Sequence, residues 1–190
     1  MIKKATAQLF LNSSEILRGE GVKKYTKKVS ELASVFLNSE MAKENNEIAY
    51  EVYSINISED NDESLQYGVT VLKPVTVDGE CVLTRGHFHA DSSYGEVYLG
   101  LSGEGFLLKW DGNEEVVLEK VIPGSVHIID GKEAHRLINI GETDLSVGAI
   151  WSKNAGYDYN TIEERGFPVR VFKNNGQIEI RGKNGEKREC

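Results

Sequence analysis

Cysteine, proline and long apolar runs are all scarce in this 190-residue chain. Its two cysteines, Cys81 and Cys190, cannot build a disulfide framework, and neither has a second cysteine at the spacing of a metal site. The sequence contains no run of about 18 apolar residues, so we expect no membrane-spanning helix. No long apolar segment follows the N-terminal residues, so we also expect no signal peptide. These features are typical of a cytoplasmic protein.

An excess of basic residues is also missing, because 22 Lys and Arg face 30 Asp and Glu and the formal net charge is −8. Long-range attraction to nucleic acid or to anionic lipid needs a basic surface. We therefore expect no nucleic-acid partner and no membrane partner. The length suits one domain, and 8 Tyr, 6 Phe and 2 Trp supply the bulk for a substantial core.

From Glu47 onward, short runs rich in β-branched and aromatic residues alternate with turn residues. Many short strands with turn chemistry between them are typical of a β-sandwich or a β-barrel. The predicted strands are Glu47–Ile57, Tyr67–Leu72, Cys81–Arg85, Glu96–Leu101, Gly105–Trp110, Glu114–Glu119, Val121–Ile129, His135–Ile140 and Leu145–Trp151, followed by a hairpin of Val169–Phe172 and Gln177–Arg181 around Asn175-Gly176.

We expect one β-rich domain over residues 47–181, an N-terminal extension over residues 1–46 that packs on it, and a frayed tail over residues 182–190. Within the extension, Val29, Leu32, Val35 and Phe36 predict one helical face, and Ser39–Glu44 predicts a short capped helix. The basic run at Lys23-Lys24 and Lys27-Lys28 is interpreted as a solvated face.

Two of the four histidines stand in Gly86-His87-Phe88-His89. Side chains alternate between the two faces of a strand, so His87 and His89 point the same way. Glu96 follows seven residues later, and an antiparallel pair joined by residues 90–95 would bring it opposite the histidines. A His-x-His pair alone is as often structural as ligating, but with Glu96 and His135 the set could bind a six-coordinate divalent ion and leave two positions open.

The spacing of these residues resembles the cupin family. Matches to the first motif are His87, His89, Glu96 and Gly103, and matches to the second are Pro123-Gly124, His135 and Asn139. Cys81 stands where the first motif usually has a glycine. The resemblance implies an all-β fold, a single cupin barrel (a double-stranded β-helix or jelly roll), here with an N-terminal extension and short helical segments.

Longer segments resemble one branch of that family, the cupin-type glucose-6-phosphate isomerases. These segments are Tyr50–Tyr53, Thr70–Leu72, Thr84–His89, Glu96–Tyr98, Ala134–Gly141 and Ala155–Phe167. The resemblance covers most of residues 48–180. It implies a metal-dependent homodimeric enzyme that interconverts glucose 6-phosphate and fructose 6-phosphate in glycolysis and gluconeogenesis.

The same resemblance implies that His87, His89, Glu96 and His135 bind one divalent ion per chain, with Fe(II) favoured. Ligand chemistry alone also allows Mn, Ni or Zn. Glu96 corresponds to the catalytic base of the family, which would take the C2 proton and give an enediol. A carboxylate held by a cation is a weak base, however, and a direct hydride shift between the two carbons also fits. Tyr98 shares the face of Glu96 and could bond a sugar hydroxyl, orient Glu96 or pack in the barrel.

For the phosphate group, the resemblance implies Thr70, Thr84 and the backbone N–H of Gly86. Strict alternation places Thr84 on the face opposite His87. A bulge at Gly86 would bring it into the site, and without a bulge Arg85 is the better phosphate partner.

Two positions depart from the family pattern. Trp151 stands where the family usually has tyrosine, and Tyr157 stands where it usually has histidine, whereas Tyr159 is retained. We count Trp151 and Tyr159 among the substrate-binding candidates. Either the sugar is held differently in this chain, or the substrate has changed.

Two other functions remain open at the level of sequence. Three histidines and one carboxylate can also serve an Fe-dependent oxygenase, and a cupin barrel can bind a sugar without catalysis. Oxygen consumption without isomerase turnover would indicate the first function. Tight sugar binding by a metal-loaded protein without turnover would indicate the second.

Overall fold

The computed structural model describes residue 5 and residues 7–10, 16–56, 65–113 and 115–187. Its strands are β1 (Ala7–Leu9), β2 (Leu17–Gly19), β3 (Lys23–Lys28), β4 (Ile48–Asn56), β5 (Leu65–Leu72), β6 (Thr76–Val77), β7 (Glu80–Cys81), β8 (Glu96–Ser102), β9 (Gly105–Trp110), β10 (Val116–Val121), β11 (Val126–Ile129), β12 (Ala134–Asn139), β13 (Leu145–Ser152), β14 (Val169–Asn174) and β15 (Gln177–Gly182). Helices α1 (Ser39–Glu44) and α2 (Asn160–Arg165) are short, and 3₁₀ helices span Val29–Val35 and Lys153–Ala155.

A six-stranded antiparallel sheet in the order β11-β8-β13-β5-β4-β3 forms one wall of the molecule. Its register aligns Val52 with Thr70, so these two side chains share the inner face, and Tyr53 with Val69, which share the outer face. The opposite wall combines the sheets β10-β9-β12 and β15-β14-β7-β6. The main core lies between the walls, and the all-β cupin barrel predicted from the sequence is confirmed.

A second, smaller core covers part of the outer face of the large sheet. Ile16 and Leu17, from the segment that includes the β1–β2 hairpin, pack there against Tyr53 and Val69. The outer face of β4 and β5 is therefore covered here by apolar side chains, whereas their inner face turns toward the interior of the barrel.

The residues before β4 contribute directly to the large sheet. The lysines of β3 are exposed as predicted, but they lie on an edge strand paired with β4, where lysine disfavours further strand pairing. The predicted helical face is confirmed as the 3₁₀ helix Val29–Val35, which buries Val29, Leu32 and Val35. Helix α1 also forms where expected, and the Asn38 side chain caps it by accepting a hydrogen bond from the Met41 N–H at 3.1 Å.

Two strand predictions need correction, and one helix was not predicted. The predicted strand Val121–Ile129 is broken between β10 and β11 by a turn in which Gly124 has a φ of +86°. The predicted strand Cys81–Arg85 continues only as an isolated bridge at Leu83, because an extra residue interrupts the pairing (below). The polar stretch Ser152–Gly166 contains α2, whose six residues are too few to show a hydrophobic period.

The terminal hairpin forms as predicted, and its turn residues Asn175 and Gly176 have φ values of 50° and 78°. Beyond it, Gly182 donates a backbone hydrogen bond to Glu186 at 2.8 Å. Residues 57, 114 and 188–190, which belong to predicted elements or to the tail, lie outside the described residues. In the part of the chain that the structure covers, no helix is long and apolar enough to cross a membrane.

Candidate metal centre and substrate pocket

A pocket of about 380 Å³ opens between the inner face of the six-stranded sheet and the opposite wall. Strand alternation decides which sheet residues enter it, because every second residue of β4, β5, β8 and β13 faces inward. Its lining residues are Tyr25, Tyr50, Val52, Ser54, Gln66, Gly68, Thr70, Thr84, Arg85, Gly86, His87, Glu96, Tyr98, His135, Leu137, Ala149, Trp151, Tyr157 and Tyr159. All the predicted site residues except His89 are therefore pocket-lining residues, and His89 lies beside them.

The three predicted histidines and Glu96 converge at one point of this pocket. One ligand atom from each of His87, His89, Glu96 and His135 lies within 4.8 Å of all the others. Glu96 Oε2 lies 3.2 Å from Nε2 of both His89 and His135. The cluster forms because a backbone bridge pairs His87 with His135, while β8 brings Glu96 across from the sheet.

Backbone carbonyls hold two of the imidazoles in one orientation. His89 Nδ1 lies 2.7 Å from the Tyr94 carbonyl oxygen, and His135 Nδ1 lies 3.4 Å from the Glu133 carbonyl oxygen. An N–H at Nδ1 that donates to a carbonyl leaves the lone pair of Nε2 for another partner. This is the usual support behind metal-bound histidine, where the outer hydrogen bond fixes the tautomer.

The cluster leaves buried nitrogen atoms unsatisfied. Nε2 of His87 is buried and has no hydrogen-bond partner among the described residues, and the buried Nε2 of His135 has only Glu96 Oε2 beside it, at 3.2 Å and without good hydrogen-bond geometry. A buried polar atom without a partner costs free energy, and these two point into a cluster that contains a carboxylate. Three imidazole nitrogens and one carboxylate oxygen suit a divalent transition metal ion. The residues present therefore fit such an ion.

The electrostatics of the cluster favour the ligand form of His87 and of Glu96. Burial lowers the pKa of His87 to about 3, and the nearby His135 acts in the same direction, so the His87 ring is neutral at physiological pH. For Glu96, burial alone would raise the pKa, but the imidazoles of His135 and His89 outweigh it and lower the pKa to about 2. Glu96 is thus an anion, and a weak base.

The chain has a bulge next to the metal cluster. Between the bridges Leu83–Ile138 and His87–His135, the three residues 84–86 lie opposite the two residues 136–137. Gly86 absorbs the extra residue with a φ of +77°. This bulge places Thr84, Arg85 and Gly86 together along the pocket, so both of the phosphate partners considered from the sequence reach it.

The hydroxyl of Thr84 is oriented by the strand opposite it. Its Oγ1 accepts a hydrogen bond from the Leu137 N–H at 3.0 Å, which leaves the hydroxyl proton to donate elsewhere. Thr70 lies on the inner face of β5, across the pocket from Thr84. Arg85 is the only lysine or arginine among the lining residues of this pocket.

Arg136 supports the bulge from behind. Its Nη2 donates to the Arg85 carbonyl oxygen at 2.5 Å, and its guanidinium lies 4.1 Å from the centroid of the Phe167 ring. A Cβ added to Gly86 would lie 2.7 Å from Phe167 and 3.0 Å from Arg136 Nε, so the bulge has room only for glycine. This role of Arg136 could not be predicted from the sequence, because its side chain points away from the predicted site.

Aromatic residues line the rest of the pocket. The half-buried Tyr98 packs edge-on against His135, with the ring centroids 5.7 Å apart. Burial raises the pKa of Tyr98 well above its usual value, so its hydroxyl stays protonated and is able to donate a hydrogen bond. Trp151 is the strand neighbour of Glu96 and leans over Gly68, where an added Cβ would lie 3.0 Å from the indole ring. Gly68 thus provides the space for Trp151.

Tyr157 and Tyr159 close the pocket on the side of α2. Their rings are stacked with centroids 5.6 Å apart, and Tyr157 packs edge-on against His87 at 4.8 Å. The Arg85 guanidinium lies over the Tyr159 ring at 4.5 Å. Tyr157, which departs from the family pattern, therefore places a phenol ring against His87, a metal-ligand candidate. A histidine at this position would place another imidazole there.

Several pocket residues were missed by sequence reasoning. Tyr25, Tyr50, Ser54 and Gln66 add polar groups to the lining. Period-two alternation along β4 and β5 could have indicated three of them. Tyr25 gave no usable signal, because it is the one large aromatic residue in a strand otherwise dominated by lysine.

Asn139 of the second motif and the fourth histidine, His127, have structural surroundings. Asn139 is buried, donates to the carbonyls of Leu72 and Thr143 at 2.9 Å each, and accepts from the Gly141 N–H at 2.9 Å. His127 lies in β11 as predicted, with ring nitrogens 2.7 Å from Glu119 and 2.8 Å from Ser125. Neither lines the pocket.

The barrel and the cluster inside it define a cupin with a three-histidine, one-carboxylate candidate metal centre. The family model for glucose-6-phosphate isomerase (GPI) matches residues 26–188 of the chain. The glucose-6-phosphate isomerase of Pyrococcus horikoshii is 34% identical over 165 residues, which cover 85% of this chain and 87% of the relative. That of Thermococcus litoralis is 32% identical, with 85% and 87% covered. A bacterial relative of the same name, from Sinorhizobium medicae, is 28% identical, with 87% and 78% covered.

The chain belongs to the glucose-6-phosphate isomerase family, in its cupin-type branch. The family resemblance inferred from the sequence motifs, and the prediction of an enzyme of this family, are therefore confirmed.

Proposed function

We propose that this chain interconverts glucose 6-phosphate and fructose 6-phosphate, with a divalent ion held by His87, His89, Glu96 and His135. The observation that carries the proposal is the convergence of three imidazole nitrogens, among them the unpartnered Nε2 of His87, and an ionised carboxylate in the pocket of a member of this family. When bound, such an ion supplies Lewis-acid stabilisation to substrate oxygens that gain negative charge.

The chain's own residues divide the work of binding. The Thr84 hydroxyl, the Thr70 hydroxyl, Gly86 and Arg85 all line the pocket and supply groups that suit the phosphate. Tyr98 remains a hydrogen-bond donor and suits a sugar hydroxyl. Trp151 and Tyr159 offer aromatic surface to the sugar carbons, and the bulk of Trp151, allowed by Gly68, narrows the pocket beside Glu96.

The hydrogen that moves between C2 and C1 has two routes. In the proton route, Glu96 takes the C2 proton and returns it to C1. In the hydride route, the hydrogen passes with its electron pair directly between the carbons, and Glu96 serves only as a ligand. In both routes the proton of the C2 hydroxyl is also transferred to the C1 oxygen. A carboxylate held by a divalent cation is a weak base, which favours the hydride route. We therefore expect substrate labelled with deuterium at C2 to keep its label in water, and complete loss of the label would support the proton route.

The native ion, the oligomer and the cellular setting are also proposals. Among the ions that suit this donor set, we propose Fe(II), with Mn, Ni and Zn as competitors. We propose a homodimer because the apolar side chains of Val126 and Ile128 are 61% and 64% exposed on the edge strand β11, where a second copy would cover them. Cytoplasmic glycolysis and gluconeogenesis are the setting that follows from the two proposed substrates.

A coupled assay tests the reaction and the metal requirement together. Protein stripped with chelator is reloaded separately with Fe(II), Mn, Ni and Zn, and formation of glucose 6-phosphate from fructose 6-phosphate is followed. We expect at least one ion to restore turnover that the stripped protein lacks. No turnover with any ion at full occupancy would contradict the proposal. Oxygen uptake by the same samples would then identify an oxygenase, and tight sugar binding would identify a binding protein.

A further inference from the structure

The charge balance at the mouth of the pocket depends on one ion pair. Arg85 is the only lysine or arginine in the lining, and a bound phosphate would need it. Glu163 Oε1 accepts a hydrogen bond from Arg85 Nη2, so a carboxylate already occupies this guanidinium. Glu163 itself is not among the lining residues.

The ion pair between Arg85 and Glu163 can break while the elements that carry the two residues stay in place. Glu163 lies on α2, which stays anchored because Ile162 is buried in the main core. The side chains of Arg85 and Glu163 are 34% and 45% exposed, and ion pairs at this exposure are weak. Arg85 is also held by stacking on Tyr159 at 4.5 Å, so its guanidinium would keep its place at the pocket when Glu163 turns into solvent.

We propose that Glu163 is a specificity-determining residue: it occupies Arg85 as an internal anion, and only a ligand with a phosphate group displaces it. This inference rests on the proposed function for the identity of the natural ligand. A phosphate dianion outcompetes a single carboxylate because it carries more charge and can accept two parallel N–H bonds from the arginine fork. A sugar without phosphate leaves the pair intact and gains nothing from Arg85.

The test measures binding of inorganic phosphate by calorimetry in the metal-loaded protein and in its variants. Glu163→Gln removes the competing charge, so we expect the dissociation constant for phosphate to fall about two- to fivefold, the range that an exposed ion pair contributes. Glu164→Gln is the matched control, because it removes the same charge from the next residue of α2, which is exposed and makes no ion pair with Arg85. An unchanged or weaker affinity in Glu163→Gln, or an equal gain in Glu164→Gln, would overturn the proposal.

A double variant tests whether Glu163 acts through Arg85. In an Arg85→Gln background, Glu163→Gln should leave phosphate affinity unchanged, whereas a persisting gain would mean a general charge effect and would also overturn the proposal. So would the absence of measurable phosphate binding in both the unmodified protein and Glu163→Gln.

Turnover of fructose 6-phosphate separates this proposal from the proposed function. If the unmodified enzyme is active, we expect Glu163→Gln to lower KM about two- to fivefold, with kcat changed less than KM. If the unmodified enzyme is active and Glu163→Gln leaves KM unchanged, the role proposed for Glu163 is wrong and the isomerase function stands. If the enzyme is inactive but Glu163→Gln binds phosphate more tightly, the role of Glu163 stands and the isomerase function is wrong.

Discussion

Glu96 has two properties that oppose each other in an isomerase. The imidazoles that bring its pKa to about 2 keep it ionised and make it a good ligand. The same low pKa makes it a poor acceptor for a carbon-bound proton. In either route of hydrogen transfer Glu96 lies at the reacting centre, and its neutral analogue should be nearly inactive.

We expect Glu96→Gln to lower kcat by at least about a hundredfold, the lower limit of what a positioned acid–base group contributes, and to weaken metal binding. Steady-state assays with metal analysis of the same samples would show both effects. Glu119→Gln is the matched control, because Glu119 also bonds a buried histidine, His127, at 2.7 Å but lies outside the pocket. A fully active Glu96→Gln enzyme would contradict both its catalytic role and the ligand set.

Glycine is required at position 86 for two reasons. Its φ is +77°, and Phe167, Arg136 and the His135 carbonyl lie close to where a Cβ would be. We expect Gly86→Ala to lower the free energy of unfolding by about 2–4 kcal/mol, from backbone strain together with overpacking. Denaturant unfolding measures it.

Gly176→Ala is the matched control for Gly86→Ala. Gly176 has nearly the same φ, 78°, but nothing within 4 Å of an added Cβ. It should lose only the strain component, about 1 kcal/mol. Equal losses in the two variants would contradict the close packing behind the bulge.

The bulge at residues 84–86 shows which features of the strands could be predicted from local sequence and which could not. His87, His89 and Glu96 were predictable because strand alternation is local. The bulge at Gly86 was one of two alternatives, and local alternation could not decide between them because the bulge is defined against residues 136–137, which are distant in sequence. The pairing of Arg85 with Glu163 joins residues 78 positions apart, and nothing in either segment indicates it.

Strand β3 escaped recognition for a different reason. It is an edge strand, and only one of its faces meets the protein, so its sequence is mostly lysine with Tyr25 as the large inward residue. Hydrophobic alternation is weak in such a strand. The 3₁₀ helix that follows was predictable because it buries three apolar residues at helical spacing.

Glu80 joins three segments of the fold. Its buried carboxylate accepts from the Leu37 N–H at 2.7 Å and lies 2.8 Å from Arg170 Nη1, and Arg170 Nη1 also donates to the Val35 carbonyl. We expect Glu80→Ala to lower the free energy of unfolding by about 3–5 kcal/mol, because a buried ion pair loses one partner.

Glu142→Ala provides the comparison for Glu80→Ala. It removes an exposed carboxylate paired with Lys173, and we expect a loss of no more than about 1 kcal/mol. Chemical denaturation of both variants is the measurement. If they lose the same free energy, Glu80 does not hold the segment around Leu37 to β7 and β14.

The whole molecule presents an apolar surface at β11. In the proposed homodimer, Ile128 would lie in the interface, so Ile128→Lys should convert the dimer to a monomer because the interface would then bury an unpaired charge. Sedimentation velocity measures this. Met41→Lys, on the exposed side of α1, is the control and should stay dimeric. If the unmodified protein is monomeric at all concentrations, the proposed homodimer is wrong.

The central claim joins a metal ion to turnover through four named side chains. The most direct test titrates Fe(II) anaerobically into metal-free protein while bound metal and conversion of fructose 6-phosphate are both measured. We predict that turnover rises from near zero and levels off at about one ion per chain, the capacity of a single four-ligand centre. We also predict that folded His135→Ala gains neither tight binding nor turnover. Full turnover in metal-free protein, or an unchanged titration in His135→Ala, would contradict the account.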